Sequence, residues 1–401
     1  MTTPAAHPLF GLRIAMLSAA HMFGTAGYMS VMAMAPVIRD DLGIAAAEFG
    51  FFLSAFFFAQ AVAAIPSGLL SDRLGIGSTL VLAMAFLAAG FGLFALSEDF
   101  SAAVAAMFVA GLGYSLINPA TAKGVLFWFP VDRRATAMGL KQLGVPLGGL
   151  LGAGAGALAT WYDWRGILIA AILGVIGTGL AWLKLAERPN WSGAGLAGML
   201  HDLRTVFRDR QLGVICGACV CFNCGQSSLF SYLALFLRDA CGTSQPFAGL
   251  AVAIAQATGA AGRVGWSYLT DTFFRGRRKV VVVPLILGAV VAYGLAALVG
   301  PGTPQMLLLL LAFAMGGTIA AYVAIVLAIT AEAVPPHLTG AAVGYNGVAF
   351  SIGGTVGPPL FGFALDQAGN YGAAWLTMAG VLLVGAIILG AGYRERPIAE
   401  L

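Results

Sequence analysis

Hydrophobic positions run along this chain in blocks about twenty residues long, and charged residues collect in the gaps between the blocks. The hydrocarbon core of a bilayer, about 30 Å thick, takes roughly 20 apolar residues to cross as a helix. Blocks of that length recur from Leu12 almost to the end, too long and too evenly apolar to be barrel strands. Read between charged or Gly/Pro-rich breaks, they predict twelve spans at about 12–37, 49–70, 78–97, 101–127, 135–160, 165–186, 212–237, 246–269, 279–299, 304–332, 340–365 and 372–393. The longest polar gap, Glu187 to Gln211, holds Arg188, His201, Arg204, Arg208 and Arg210. It predicts an N-terminal bundle over 1–186, a linker over 187–211 and a C-terminal bundle over 212–401. The expected fold class is an all-α membrane protein of two pseudo-symmetric six-helix bundles.

Composition agrees, since 60% hydrophobic and only 9% charged residues cannot clothe a water-soluble surface. No charged residue precedes Arg13 and no small-residue cleavage site follows a short apolar core, so Leu12 onward is expected to be a retained first span. Orientation follows from lysine and arginine, which favour the cytoplasmic side. With the N-terminus inside, sixteen of the twenty-one fall on or near that side; Arg39, Arg165 and Arg238 fall outside, and Lys141 and Arg263 lie within the membrane. The expectation is a multi-pass protein of a bacterial-type inner (plasma) membrane with both termini cytoplasmic, a monomer in the lipid bilayer. Four of the five cysteines, Cys216, Cys219, Cys221 and Cys224, lie inside an apolar span, where cysteine behaves as a small hydrophobe; the fifth is Cys241. No cofactor or metal is expected.

The halves echo one another. Gly68-Leu-Leu-Ser-Asp72-Arg73-Leu-Gly75 follows the second span, and Gly265 to Asp271 followed by Arg275 to Lys279 follows the eighth. Pro130, Gly139, Gly148 and Gly149 stand against Pro335, Gly344, Gly353 and Gly354 at one offset of 205. Two six-helix repeats in parallel register are the layout of one large transporter fold.

On these residues the chain resembles the major facilitator superfamily. The Gly68–Gly75 segment is similar to that superfamily's signature G-x-L-x-D-R-x-G-R-[RK] between its second and third helices, with Ile76 and Gly77 standing where basic residues are usual. The stretch Gly139-Leu-Lys141-Gln142-Leu-Gly-Val-Pro-Leu-Gly148-Gly149 resembles bacterial cyanate-permease and anion-symporter members, and Arg263 with Asp271 behind it resembles monocarboxylate and oxalate transporters. The resemblance implies that the fifth and eighth spans face each other across the halves, and that Asp72 and Arg73, with Asp271 as their counterpart, belong to a gate.

A charge inside hydrocarbon costs about 2.5–3.5 kcal/mol on insertion scales, so intramembrane ionisable groups are functional candidates. Arg263 lies eight residues from Asp271, Lys141 seven from Arg134 and His21 eight from Arg13, which places all three about 10–12 Å deep, at one level. At 100° per residue Gln256, Arg263 and Ser267 share a face of the eighth span, whereas Ala253, Ala257, Ala261 and Gly265 form a small-residue face expected to be a packing seam. Gly144, Gly148, Gly152 and Gly156 on the fifth span are expected to supply the matching seam.

Two cations without a carboxylate in any span centre suit an anionic solute, and a guanidinium fork suits a carboxylate. Expected substrate contacts are Arg263, Lys141, His21, Tyr28, Gln60, Tyr114, Asn118, Gln142, Asn223, Gln226, Gln256, Tyr322, Tyr345 and Asn346. The function expected is secondary transport of a small organic anion, a mono- or dicarboxylate, by alternating access, with a proton or a counter-anion as coupling partner. The alternative is a neutral or drug-like solute, with Arg263 structural. No H-E-x-x-H, no serine–histidine arrangement and no G-x-x-x-x-G-K-[ST] loop occurs, so an enzyme or a built-in ATP engine is not expected, nor is a nucleic-acid partner.

Overall fold

The computed structural model describes residues 10–129, 137, 140–184, 204–274, 277–335 and 338–395. Pro130, Gly139, Arg133, Arg134 and most of the linker lie outside them, and the side chains of Asp72 and Asp271 are not described. The helices with both bounds among the described residues are, in chain order, α1 (Phe10–Ala33), α2 (Ala35–Leu42), α3 (Ala46–Leu74), α4 (Ile76–Ala95), α5 (Phe100–Trp128), α6 (Gly144–Leu158) and α7 (Trp164–Lys184), then α8 (Arg210–Asp239), α9 (Gln245–Thr272), α10 (Arg278–Ala296), α11 (Gln305–Ile319), α12 (Val323–Glu332), α13 (Thr339–Ala368) and α14 (Tyr371–Gly392). Ten candidate spans among the described residues are long and apolar enough to cross a membrane, with α11 and α12 counted as one; α1 and α6, outside those ten, lie where the first and fifth spans were expected.

Two expected spans are broken. The first ends at Ala33, and after Met34 the chain starts the short helix α2, with Pro36 in its first turn, where proline needs no amide donor. The tenth breaks at Ala320-Ala321-Tyr322, leaving a carbonyl outside the regular ladder. Ends on the side away from the termini, here the far side, carry local stop signals. Asp99 Oδ1 accepts from Ala102 N at 2.9 Å to start α5, and Asn370 Oδ1 accepts from Ala373 N at 2.9 Å to start α14. Gly43 closes α2 at φ 62°, a left-handed backbone that glycine adopts without strain.

Helices α1 to α7 pack among themselves, and so do α8 to α14. Across the halves α3 packs on α13 and α6 on α9, two equivalent seams of one pseudo-two-fold arrangement. The glycine run of the fifth span does not form the cross-half seam. A Cβ on Gly144, Gly148, Gly152 or Gly156 would strike Ser18, Met22, Met29 or Ala33, all on α1, because these four residues lie on the face of α6 turned to its own half. The residue beside them, Gly149, faces Gln256 of the other half, and Gly156 also borders Gly249. The repeat is faithful here: Gly353 meets α8 at Val220 and Asn223 within its half, whereas Gly354 meets Phe57 across the halves. The alanine face of the eighth span is likewise no seam, since Ala257, Ala261 and Gly265 are exposed. Gly259 and Gly262 do that work against Ala320 and Ala321.

Candidate functional site

The seams are tight on the far side and open toward the termini. On α13 a Cβ on Gly354 or Gly362 would strike Phe57 or Ala47, yet Gly347, two turns nearer the termini on the same face as Gly354, meets nothing within 4 Å. On α9 Gln256 donates to Met29 Sδ at 3.0 Å, and Arg263 lies two turns further toward the termini on the same face. The close packing of the seam therefore stops short of Arg263, and the space beyond it is the candidate cavity.

Arg263 sits deep within the protein but keeps accessible surface. Its Nε donates to Ala320 O at 3.0 Å, the carbonyl at the break between α11 and α12. Neither Nη bonds to a described residue, and neither is sealed from solvent. The phenols of Tyr28, Tyr114 and Tyr322 lie within electrostatic range of the guanidinium. Tyr28 meets Tyr114 edge-on at 5.9 Å, and Tyr114 shares a 3.0 Å hydrogen bond with Thr25. The fork thus faces an aromatic wall and an opening, with its two outer nitrogens available as a bidentate donor.

A second polar group sits in the N-terminal half. Residues 140–142 are helical and lead through Leu143 into α6. Lys141, 1% exposed, donates to Asn118 Oδ1 at 3.1 Å and Thr121 Oγ1 at 3.0 Å. His21 Nε2 lies 3.1 Å from the same Thr121 Oγ1, so α1, α5 and the start of α6 meet on one hydroxyl. Asn118 is exposed and Gln142 partly so.

The remaining expected contacts divide. Gln60 is partly exposed and donates to Phe56 O at 3.4 Å, along its own helix. Tyr345 packs at a tilt against Phe207 with centroids 4.2 Å apart. Asn223, Gln226, Tyr322 and Asn346 are buried, which sets them behind the surface of the opening. Asn223 donates to Phe350 O at 2.6 Å, whereas Gln226 Oε1, Tyr322 OH and Asn346 Nδ2 have no partner among the described residues. Gln256 lies in the cross-half seam above the cavity. Of the expected gate, Arg73 is exposed.

Sequence reasoning missed the fastening on the far side. Arg39 pairs with Asp239, and Arg238 with Asp40 at 2.9 Å. Each partner comes from the opposite half. The dipeptide Arg-Asp occurs as Arg39-Asp40 after the first helix and as Arg238-Asp239 at the end of α8, and the two exchange partners reciprocally. Tyr371 OH adds a bond to Asp239 at 2.9 Å, and Arg165 holds Asp41 at 2.5 Å. Partial burial opposes the Arg39 charge, but its bonds to Asp239 and Asp40 outweigh that and hold its pKa above the ordinary value. Beneath them Gln245 Nε2 donates to Ala33 O and Gly156 O, both at 3.1 Å. The signal that could have found this latch was the repeated dipeptide at equivalent helix ends.

The sequence pattern of the Major Facilitator Superfamily matches residues 16–302 and again 215–400. The chain belongs to that superfamily. It is a multi-pass membrane transporter, not an enzyme. The hexuronate transporter of Bacillus subtilis (strain 168) is 26% identical over 373 residues, covering 88% of this chain and 87% of the relative. The probable galactarate/D-glucarate transporter GudP of the same organism is 21% identical over 391 residues, covering 88% and 84%. Among solved structures, the nucleoside transporter NupG superposes with a TM-score of 0.80 at 14% identity over 96% of this chain and 99% of that one, a likeness of fold.

Proposed function

We propose that this transporter moves a small organic anion, a mono- or dicarboxylate, across a bacterial-type inner membrane by alternating access, with a proton or a second anion as coupling partner. The observation that carries the reading is the Arg263 fork. Its two Nη atoms face the cavity unbonded, and the described acids paired nearest to the cross-half seam, Asp40, Asp41 and Asp239, are at the far side. Extraction of a guanidinium from water is costly and is offset when a carboxylate arrives. Curated relatives that carry sugar acids support the same class. On the positive-inside pattern the termini are cytoplasmic, and the cavity described here opens inward.

A second reading, a neutral solute with a structural Arg263, has one observation in its favour, the bond from Nε to Ala320 O. Uptake of labelled glucuronate and glucarate into proteoliposomes separates the two. The anion reading expects uptake by the native protein and its loss in Arg263→Ala, with Arg263→Lys recovering only part because a point charge lacks the fork. Native rates in both variants, or no uptake of either acid by the native protein, would sink it.

A further inference from the structure

We propose that Lys141 carries the coupling proton, taking it up as the anion binds and giving it back as the anion leaves, with Thr121 as its fixed acceptor. The inference rests on the organic-anion reading. Its starting point is the hydrogen inventory around Thr121. The Thr121 hydroxyl has one proton, which it donates to Ile117 O at 2.7 Å. Its lone pairs are then left for Lys141 Nζ and His21 Nε2, so both of those nitrogens are donors. With Nε2 carrying a hydrogen, a neutral His21 presents a bare Nδ1, and that atom is buried with no partner.

Lys141 is sealed beside two neutral oxygens, those of Asn118 and Thr121, and makes no ion pair among the described residues. From α1 the titratable group is His21, itself a hydrogen donor toward the shared oxygen. On α5, Lys123 turns toward Gly68 O. On α9, Arg263 is turned to Ala320 O, Tyr268 is exposed, and the Asp271 side chain is not described. On α7, Arg165 is held by Asp41 at the far side. An ammonium in this place lacks a counter-charge, a state that burial disfavours. In this proposal a carboxylate and the proton both reach Lys141 by way of Asn118, its exposed hydrogen-bond partner. The step balances: a water-borne proton forms the third N–H bond as –NH2 becomes –NH3+, and one negative charge enters with it. On release the N–H bond breaks and the proton returns to water with the anion. Lys141 therefore makes the transporter a symporter of one proton per anion carried.

Calorimetric titration of the full-length protein in detergent with glucuronate, repeated in buffers of different ionisation enthalpy, counts protons taken up per anion bound. The native protein should take up close to one in mildly alkaline buffer, and Lys141→Met and Lys141→Arg should bind the anion with none. Anion binding without proton uptake by the native protein would overturn the proposal and leave the transport reading intact, whereas no binding of glucuronate or glucarate removes both. Thr121→Val serves if the lysine variants fail to fold, and should move the midpoint of proton uptake to lower pH, since the protonated amine loses an acceptor. An unchanged midpoint, or loss of uptake in His21→Gln with retention in the lysine variants, would contradict the assignment.

Discussion

At the residue scale the account turns on hydrogen-bonding capacity. Arg263 spends one of its five donors on a carbonyl and aims two nitrogens at the cavity. Bonds to charged groups contribute about 1.5–3 kcal/mol each, so loss of both Nη bonds in Arg263→Ala should weaken carboxylate binding by about a hundredfold or more, measured by calorimetry in detergent. Tyr28→Phe removes one neutral hydroxyl beside the fork, worth about 1 kcal/mol, and should cost about fivefold in the same assay. Arg263 was legible in the sequence as a candidate because charge in an apolar run stands out. Thr25 and Thr121 were not, since a threonine inside a helix commonly bonds its own backbone and gives no outward sign of a second role. Nor could spacing reveal that Asn346 and Tyr322 sit behind the opening, because that depends on helix rotation and on the break before α12.

At the element scale, two neighbouring glycines on α6 do different jobs. A Cβ on Gly148 would meet the backbone of α1 at Met22, which cannot move aside, and overpacking of that kind costs about 1–3 kcal/mol. Gly148→Ala should therefore lower the thermal unfolding temperature in detergent. A Cβ on Gly149 meets only the amide end of Gln256, 2.7–2.9 Å away, across the seam that must part during transport. Gly149→Ala should leave thermal stability close to native and instead increase labelling of a cysteine placed on the far side of α3 or α13. The small-xxx-small spacing announced a close seam from the sequence, but not which neighbour it served. A run with one residue in four on a 3.6-residue helix marks a single stripe, and the adjacent stripe through Gly149 carries the other contact.

For the whole molecule, the central fact is asymmetry along the membrane normal: latched on the far side, open toward the termini. Partly exposed ion pairs contribute about 0–1 kcal/mol each, so the reciprocal Arg-Asp pairs bias the equilibrium between open states without locking it. Loss of one, in Arg39→Ala, should shift the population toward the far-side-open state by up to about fivefold, read from spin-label distances between the far ends of α3 and α13. The charge swap Arg39→Asp with Asp239→Arg should restore much of it, which a mere loss of surface charge would not. The spans were readable from apolar runs, and the pairing of the fifth with the eighth was implied by the family resemblance. The conformational state was not, because both ends of a rocking transporter are written in one sequence.

The measurement that bears most directly on the anion site is a cryo-EM map of the full-length protein with glucuronate at saturating concentration. The account predicts density for the carboxylate in the cavity, bridged by both Nη atoms of Arg263 and bordered by Tyr28 and Tyr114. Ligand density elsewhere, with Arg263 still bonded only to Ala320 and its fork empty, would contradict it.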